Sequence, residues 1–153
     1  MKKKNSIFIL TIFVLFCFIV FLKGLNNSNT YVPSEGTGKK LLSFNAKKLL
    51  NNEDINSDEF FVENKIYILN IWASWCAPCR DEHKILMQLS KNPSIKIIGL
   101  NYKDDFDSAK KFINNMGNPY SEIVTDEDGT ISIALGAYGV PETLVIDANK
   151  IIL

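Results

Sequence analysis

Hydrophobic and polar positions alternate along this chain in different rhythms, and each rhythm predicts an element. Ile7 to Leu22 form sixteen consecutive residues, all apolar except Thr11. Further on, the runs shorten. Ile66-Tyr67-Ile68-Leu69-Asn70-Ile71 is apolar and β-branched enough to read as a short buried strand reaching Trp72. Asp81 to Lys91 carries Ile85, Leu86 and Leu89 at helical spacing, and Asn92-Pro93 stops it. Ile95 to Leu100 reads as a second strand. A helix follows from about Phe106 to Met116, with Gly117 as its C-terminal cap. Ile123 to Thr125 predicts a short strand, Asp126 to Gly129 a turn, and Thr130 to Leu135 a short helix ending at Gly136. Thr143 to Ile146 is another strand, 147–150 a turn, and Ile151-Ile152-Leu153 opens one more strand. Before these, Leu41 to Leu50 predicts a peripheral strand or short hairpin, and Ser57 caps a helical turn reaching Phe61. Strands alternating with helices imply an α/β domain whose sheet contains parallel pairs and is covered on both faces.

Charge separates the N-terminal run from the rest. The formal net charge of zero combines a lysine-only segment (Lys2, Lys3, Lys4 and Lys23 within residues 1–25) with a remainder of 13 basic and 17 acidic residues, a net −4. A mildly acidic domain without a basic patch gives no support for nucleic-acid binding. Sixteen helical residues span about 24 Å against a bilayer core of about 30 Å, and snorkelling lysines make up most of the difference. A cleaved signal peptide is the competing reading, but no Ala-x-Ala-like site follows the run. The expectation is an uncleaved anchor over 1–23, then a tether rich in Asn, Ser, Thr, Gly and Pro over 24–40, then a single domain over 41–153. Lysines cluster ahead of the apolar run, so the domain is expected on the far side of the membrane from the cytoplasm.

The candidate chemistry sits where a strand stops and a helix starts, in Trp72-Ala73-Ser74-Trp75-Cys76-Ala77-Pro78-Cys79-Arg80. A thiolate at a helix N-terminus is stabilised by unpaired N–H groups and the positive end of the helix dipole. Cys76 is expected at an exposed helix entrance, with Cys79 one turn behind it and within disulfide reach. Pro78 suits the first helical turn, where its missing N–H is not needed. A zinc site would need two more ligands, and the chain offers only Cys17, within the apolar run, and the single histidine His83. A purely structural disulfide would close too small a loop to constrain the unfolded chain much. Asp126-Glu127-Asp128-Gly129 lacks the spacing of a calcium loop. The residues therefore favour a dithiol/disulfide redox centre, with no metal and no cofactor.

These same residues resemble the active site of thioredoxin-like thiol–disulfide oxidoreductases, and Gly139-Val140-Pro141-Glu142-Thr143 resembles their second landmark, a cis-proline loop facing the cysteines. Three segments are similar more narrowly to the membrane-tethered DsbE/CcmG type, the interchange proteins of cytochrome c maturation. They are Cys79-Arg80-Asp81-Glu82-His83, Gly99-Leu100-Asn101-Tyr102-Lys103-Asp104-Asp105 and Leu135-Gly136-Ala137-Tyr138-Gly139-Val140-Pro141-Glu142-Thr143.

The resemblance implies a thioredoxin-like fold, a central mixed sheet flanked by helices, whose last strand and closing helix are expected to be truncated at Leu153. It implies catalysis by Cys76 and Cys79, with Trp75, Pro141, Glu82 and Glu142 supporting the site and Val140 and Thr143 binding the client. Carboxylates beside a thiol disfavour its ionised form, so Glu82 and Glu142 would make the couple more reducing. The implied function is a reductant for apocytochrome c or its maturation partners, recharged by a membrane thiol transporter. The implied place is the bacterial cytoplasmic membrane, with the catalytic domain facing the periplasm. A general extracytoplasmic reductase with other clients and a redox-inactive apocytochrome-holding module remain as alternatives.

Overall fold

The computed structural model describes residues 2–26 and 36–153; the middle of the expected tether, 27–35, lies outside the described residues. The chain divides into two compact units, Met1–Pro33 and Ser34–Leu153. The first is built on helix α1 (Lys2–Asn26). Its stretch Ile7–Gly24 is long and apolar enough to cross a membrane, and none of that stretch is buried against protein. The helix outruns the sixteen-residue apolar run, so its 25 residues reach about 37 Å. Thr11, the one polar side chain in the run, turns its hydroxyl back onto the Ile7 carbonyl at 2.7 Å.

The second unit contains β1 (Asn45–Lys48), β2 (Asp54–Asn56), β3 (Ile66–Trp72), α2 (Ala77–Leu89), β4 (Ile95–Tyr102), α3 (Phe106–Met116), β5 (Glu122–Asp126), α4 (Thr130–Ala134) and β6 (Glu142–Ile146). The strands form one mixed sheet in the order β2-β1-β5-β4-β3-β6. β3, β4 and β5 run parallel, joined by crossovers through α2 and α3. β6 returns antiparallel to β3, and β1 and β2 make an antiparallel hairpin at the other margin. Residues 36–41 also meet the sheet's end: Gly38 donates to the Ile152 carbonyl at 2.8 Å, and Lys40 bridges Ile151.

β3 is central, and every residue after Ile66 is buried. Its alternation supplies two cores. Ile68 and Trp72 point into the layer filled by Cys79 and Leu86 of α2 and by Ala109, Phe112 and Ile113 of α3. Tyr67, Leu69 and Ile71 point into the opposite layer, with Phe60, Ile98, Leu100, Val124 and Ile146. Fully burying one such large apolar side chain contributes roughly 1.5–3 kcal/mol.

One predicted cap moves by a residue. Asn56, not Ser57, caps the 3₁₀ turn Ser57–Phe60: its side chain accepts from the Asp58 N–H at 2.9 Å, and Glu59 accepts from the Asn56 N–H at 3.0 Å. The Ser57 hydroxyl is unavailable as a cap because it is buried and accepts from the Phe44 N–H at 2.9 Å.

Candidate functional site

The last apolar position of β3, Trp72, delivers the chain into a short loop from which α2 starts. Cys76 takes the N-cap position, with extended φ and ψ of −82° and 111°. Its sulfur does what a Ser or Asp oxygen does at other N-caps, accepting from the Cys79 N–H at 3.1 Å. Cys76 and Cys79 are joined as a disulfide. Pro78 lies within the first turn, where a missing N–H is tolerated.

The expectation of an exposed Cys76 is corrected by the structure. Cys76 is 3% exposed and Cys79 4%, because both belong to the core layer between the sheet and α2 and α3. The exposed neighbour is Trp75, at 58%.

Several contacts hold the loop before the cysteines. Asp104 accepts from the Ser74 N–H at 2.5 Å and from the Ser74 hydroxyl at 2.7 Å. The same carboxylate accepts from the Asn101 amide and the Asp105 N–H, each at 2.9 Å. The Trp75 indole N–H donates to the Lys103 carbonyl at 3.0 Å. From the helix side, the Arg80 guanidinium donates to the Ser74 carbonyl at 2.7 Å while lying over the Phe112 ring. The loop is thus clamped between the end of β4 and the first turn of α2.

Sheet register brings the second landmark to the same end of the molecule. β6 begins at Glu142 opposite Ile71, so residues 139–141 lie where β3 ends and the cysteine loop begins. The Val140–Pro141 peptide bond is cis, and Val140 packs against both core layers.

The two candidate acids differ in what they touch. Glu82 accepts from the Thr143 hydroxyl at 2.9 Å. The Thr143 oxygen in turn accepts from the Asn70 amide at 3.0 Å, and the Asn70 carbonyl oxygen accepts from the Tyr120 hydroxyl at 2.8 Å. Burial, with the Glu82 charge adding to it, pushes the Tyr120 hydroxyl far above its ordinary value. Glu142 instead accepts from the Tyr138 N–H at 3.3 Å, across its own loop. Thr143, read from sequence as a client contact, therefore uses its hydroxyl on Glu82 and Asn70.

Beneath α2 lies an aromatic layer. Trp72 stacks on Tyr120 at a 5.6 Å centroid distance, and the buried His83 meets Phe112 edge-on at 5.1 Å. His83 Nε2 is 3.0 Å from the Gly117 carbonyl, which makes it the protonated ring nitrogen. Among the described residues, no group of three or more His, Cys, Asp or Glu is gathered as metal ligands would be.

Asn70 and Tyr120 have no role in the sequence reading, and Asp104 enters it only within the segment 99–105. Asn70 did carry a signal: it is a lone amide inside an apolar strand, and a buried amide demands partners.

With this geometry stand the likenesses to known proteins. Residues 37–153 match the AhpC/TSA family. The thiol:disulfide interchange protein DsbE of Escherichia coli K12 is 36% identical over 156 residues, covering 99% of this chain and 84% of that protein. The thiol:disulfide interchange protein CycY of Rhizobium leguminosarum is 42% identical over 92 residues, covering 60% of this chain and 50% of that one. Among solved structures, a secreted thiol-disulfide isomerase from Corynebacterium glutamicum superposes with a TM-score of 0.63 at 28% identity, covering 73% of this chain and 72% of that one. The thioredoxin domain of a thiol-disulfide oxidoreductase from Bacteroides vulgatus superposes with a TM-score of 0.66 at 20% identity, covering 76% and 85%.

Proposed function

The chain belongs to the AhpC/TSA family and, within it, to the DsbE thiol:disulfide interchange proteins, and from that membership we propose that it is a reductant working outside the cytoplasm. Its general activity is that of a thiol-disulfide oxidoreductase with a thioredoxin-like fold. The observation that carries the finer reading is the Cys76–Cys79 disulfide at the start of α2, with the Cys76 sulfur in the N-cap position.

In the working direction the dithiol form reacts. The Cys76 thiolate, favoured by the helix N-terminus, attacks one sulfur of a client disulfide. The client S–S bond breaks, its other sulfur leaves as a thiolate and takes a proton, and a Cys76–client disulfide remains. Cys79, as thiolate, then attacks the Cys76 sulfur, and the second client thiol leaves. Two electrons have passed to the client, and the protein is left in the disulfide state seen here. A membrane thiol transporter would restore the dithiol.

The proposed client is the cysteine pair of an apocytochrome c haem-attachment motif, or a cytochrome c maturation protein. The resemblance of Cys79–His83, Gly99–Asp105 and Leu135–Thr143 to the interchange proteins of cytochrome c maturation supports this client. The lysines in the first turn of α1, ahead of its apolar run, support an anchor whose C-terminal side faces the periplasm. Val140, through its backbone beside Pro141, would present an edge to the client strand. Glu82 would oppose ionisation of the thiols and keep the couple reducing; Glu142 would brace the proline loop through Tyr138.

The test uses the full chain carrying Cys17→Ser. Cys79→Ala is expected to accumulate a mixed disulfide with an oxidised haem-attachment peptide, and Cys76→Ala to form none. Trapping through Cys79 in the Cys76→Ala protein would reverse the roles. Equal rates on that peptide and on insulin would favour a general reductase, and no reduction of either would favour a holding module.

A further inference from the structure

We propose that Thr143 and Asn70 are positioning residues for the redox reaction, holding the Glu82 carboxylate beside the cysteine pair through a one-way chain of hydrogen bonds that starts at Tyr120. The inference rests on the reading of Glu82 as the acid that keeps the couple reducing.

The chain joins three elements and the segment before β5. Tyr120 precedes β5, Asn70 is in mid-β3, Thr143 lies opposite it on β6, and Glu82 is on α2. Each link is of ordinary hydrogen-bond length, 2.8, 3.0 and 2.9 Å in turn. Their direction is fixed from both ends. A carboxylate can only accept, so the single hydrogen of Thr143 must point at Glu82. The Thr143 oxygen is then left to accept, which turns the NH₂ of Asn70 towards it and the Asn70 carbonyl oxygen towards Tyr120. Reversing the amide would force Thr143 to donate to Asn70 and leave nothing for Glu82. The first donor is lasting, because the buried Tyr120 hydroxyl is pushed upward and stays protonated. Donors in series polarise one another, so the last link is stronger than an isolated one.

Burial does not require the last link. Asn70 and Tyr120 are buried and need partners, but Thr143 is exposed and Glu82 half-buried, and water would satisfy both. What the link adds is position. A glutamate on a helix has several rotamers to choose from, and fixing one has an entropic cost that a bond from a rigid strand offsets. Glu82 is three residues beyond Cys79 on α2, so the two share a face, and the held rotamer sets how strongly the carboxylate acts on the sulfurs. Thr143 is also two residues beyond Pro141, on the edge where a client would dock. A client lying there would cover the link and shield it from water.

The experiment measures the redox equilibrium of the full chain with glutathione, together with the Cys76 titration, in Thr143→Val, Thr143→Ser, Glu82→Gln and the Thr143→Val, Glu82→Gln double variant. Thr143→Val keeps the shape but removes the donor. It is expected to shift the equilibrium constant about three- to tenfold to the oxidising side, less than the full worth of a hydrogen bond to a charged group because only the part that differs between the dithiol and disulfide states is read. Glu82→Gln is expected to shift it the same way. Thr143→Ser, which restores the hydroxyl, should return it to the wild-type value, and Thr143→Val should add nothing on top of Glu82→Gln. A shift of equal size in both backgrounds would mean that Thr143 acts through β6 packing, and would overturn the proposal. So would a wild-type constant in Thr143→Val alongside a shifted one in Glu82→Gln, which leaves the role of the acid standing. A wild-type constant in Glu82→Gln itself would remove the reading of Glu82 and this inference with it.

Discussion

Gly99 stands beside Asn70 in the parallel ladder between β3 and β4, and it has no side chain because there is no room for one. A Cβ built there would lie 2.9 Å from the Trp72 indole nitrogen and 3.0 Å from the Tyr120 ring. Neither neighbour is the loose end of a flexible chain: the two rings are stacked on each other beneath α2. The Trp72 indole N–H is a buried donor with no partner among the described residues. Gly99→Ala must therefore push the stack towards α2, and the expected cost is about 1–3 kcal/mol of stability, the range for an overpacked core. Urea unfolding followed by tryptophan fluorescence checks it; a midpoint equal to wild type would mean that the layer yields freely. Because Tyr120 also starts the chain to Glu82, the same variant is expected to disturb the redox equilibrium, whereas overpacking elsewhere should not.

At the scale of elements, the redox loop is held by a neighbour that is distant in sequence. Asp104, just past β4, gathers four donors, two of them from Ser74. Asp104→Ala leaves those donors without their acceptor, three of them on the buried Ser74 and Asn101, and frees the segment between β3 and α2. A loss of about 2 kcal/mol is expected, typical of hydrogen bonds to a charged group, together with slower client reduction. Asp104→Asn, which keeps one acceptor oxygen, should fall between Ala and wild type; equal stability in all three would show that the clamp bears no weight. This contact also marks the boundary of what the sequence disclosed. β3, α2, β4 and α3 were legible because their apolar periodicities are long and their stops are Asn92-Pro93 and Gly117. The strand–helix junction with Cys76 and Cys79 was legible for the same reason. Cross-chain partnerships were not: local pattern favours Ser57 as a cap, yet Phe44 claims its hydroxyl. Burial of both sulfurs was missed likewise, since it depends on the sheet, α2 and α3 closing into one layer, which no single stretch records.

For the whole molecule, the division at Pro33 and Ser34 predicts separable properties. Removing residues 1–33 should release a folded, disulfide-exchanging domain from membranes, while the full chain stays with them through an alkaline wash; a truncated chain that still sediments with membranes would contradict that division of labour. The response of the domain to acid follows from its carboxylates. Glu63 is paired with both Lys65, at 2.6 Å, and Lys96 of β4, and these two ammonium groups hold its carboxyl at about 2, below the ordinary 4.5. Asp58 is held low by Lys150 and Ser43, and Asp105 and Asp128 by hydrogen bonds from Ser108 and Thr130. In every case the folded value is depressed, so the carboxylate favours the folded state above its unfolded value and loses that contribution as pH falls. For Glu63 the loss runs from about 4.5 down to about 2. All four groups lie at the surface, so solvent and salt weaken each contribution. The urea midpoint should be level near neutrality and decline below about pH 4.5, and Glu63→Gln should flatten the lower part of that decline. High salt should flatten the wild-type curve in the same direction by screening the lysine pairs. If Glu63→Gln follows the wild-type acid curve throughout, the lysine pairs do not govern acid stability, and the decline belongs to the remaining carboxylates.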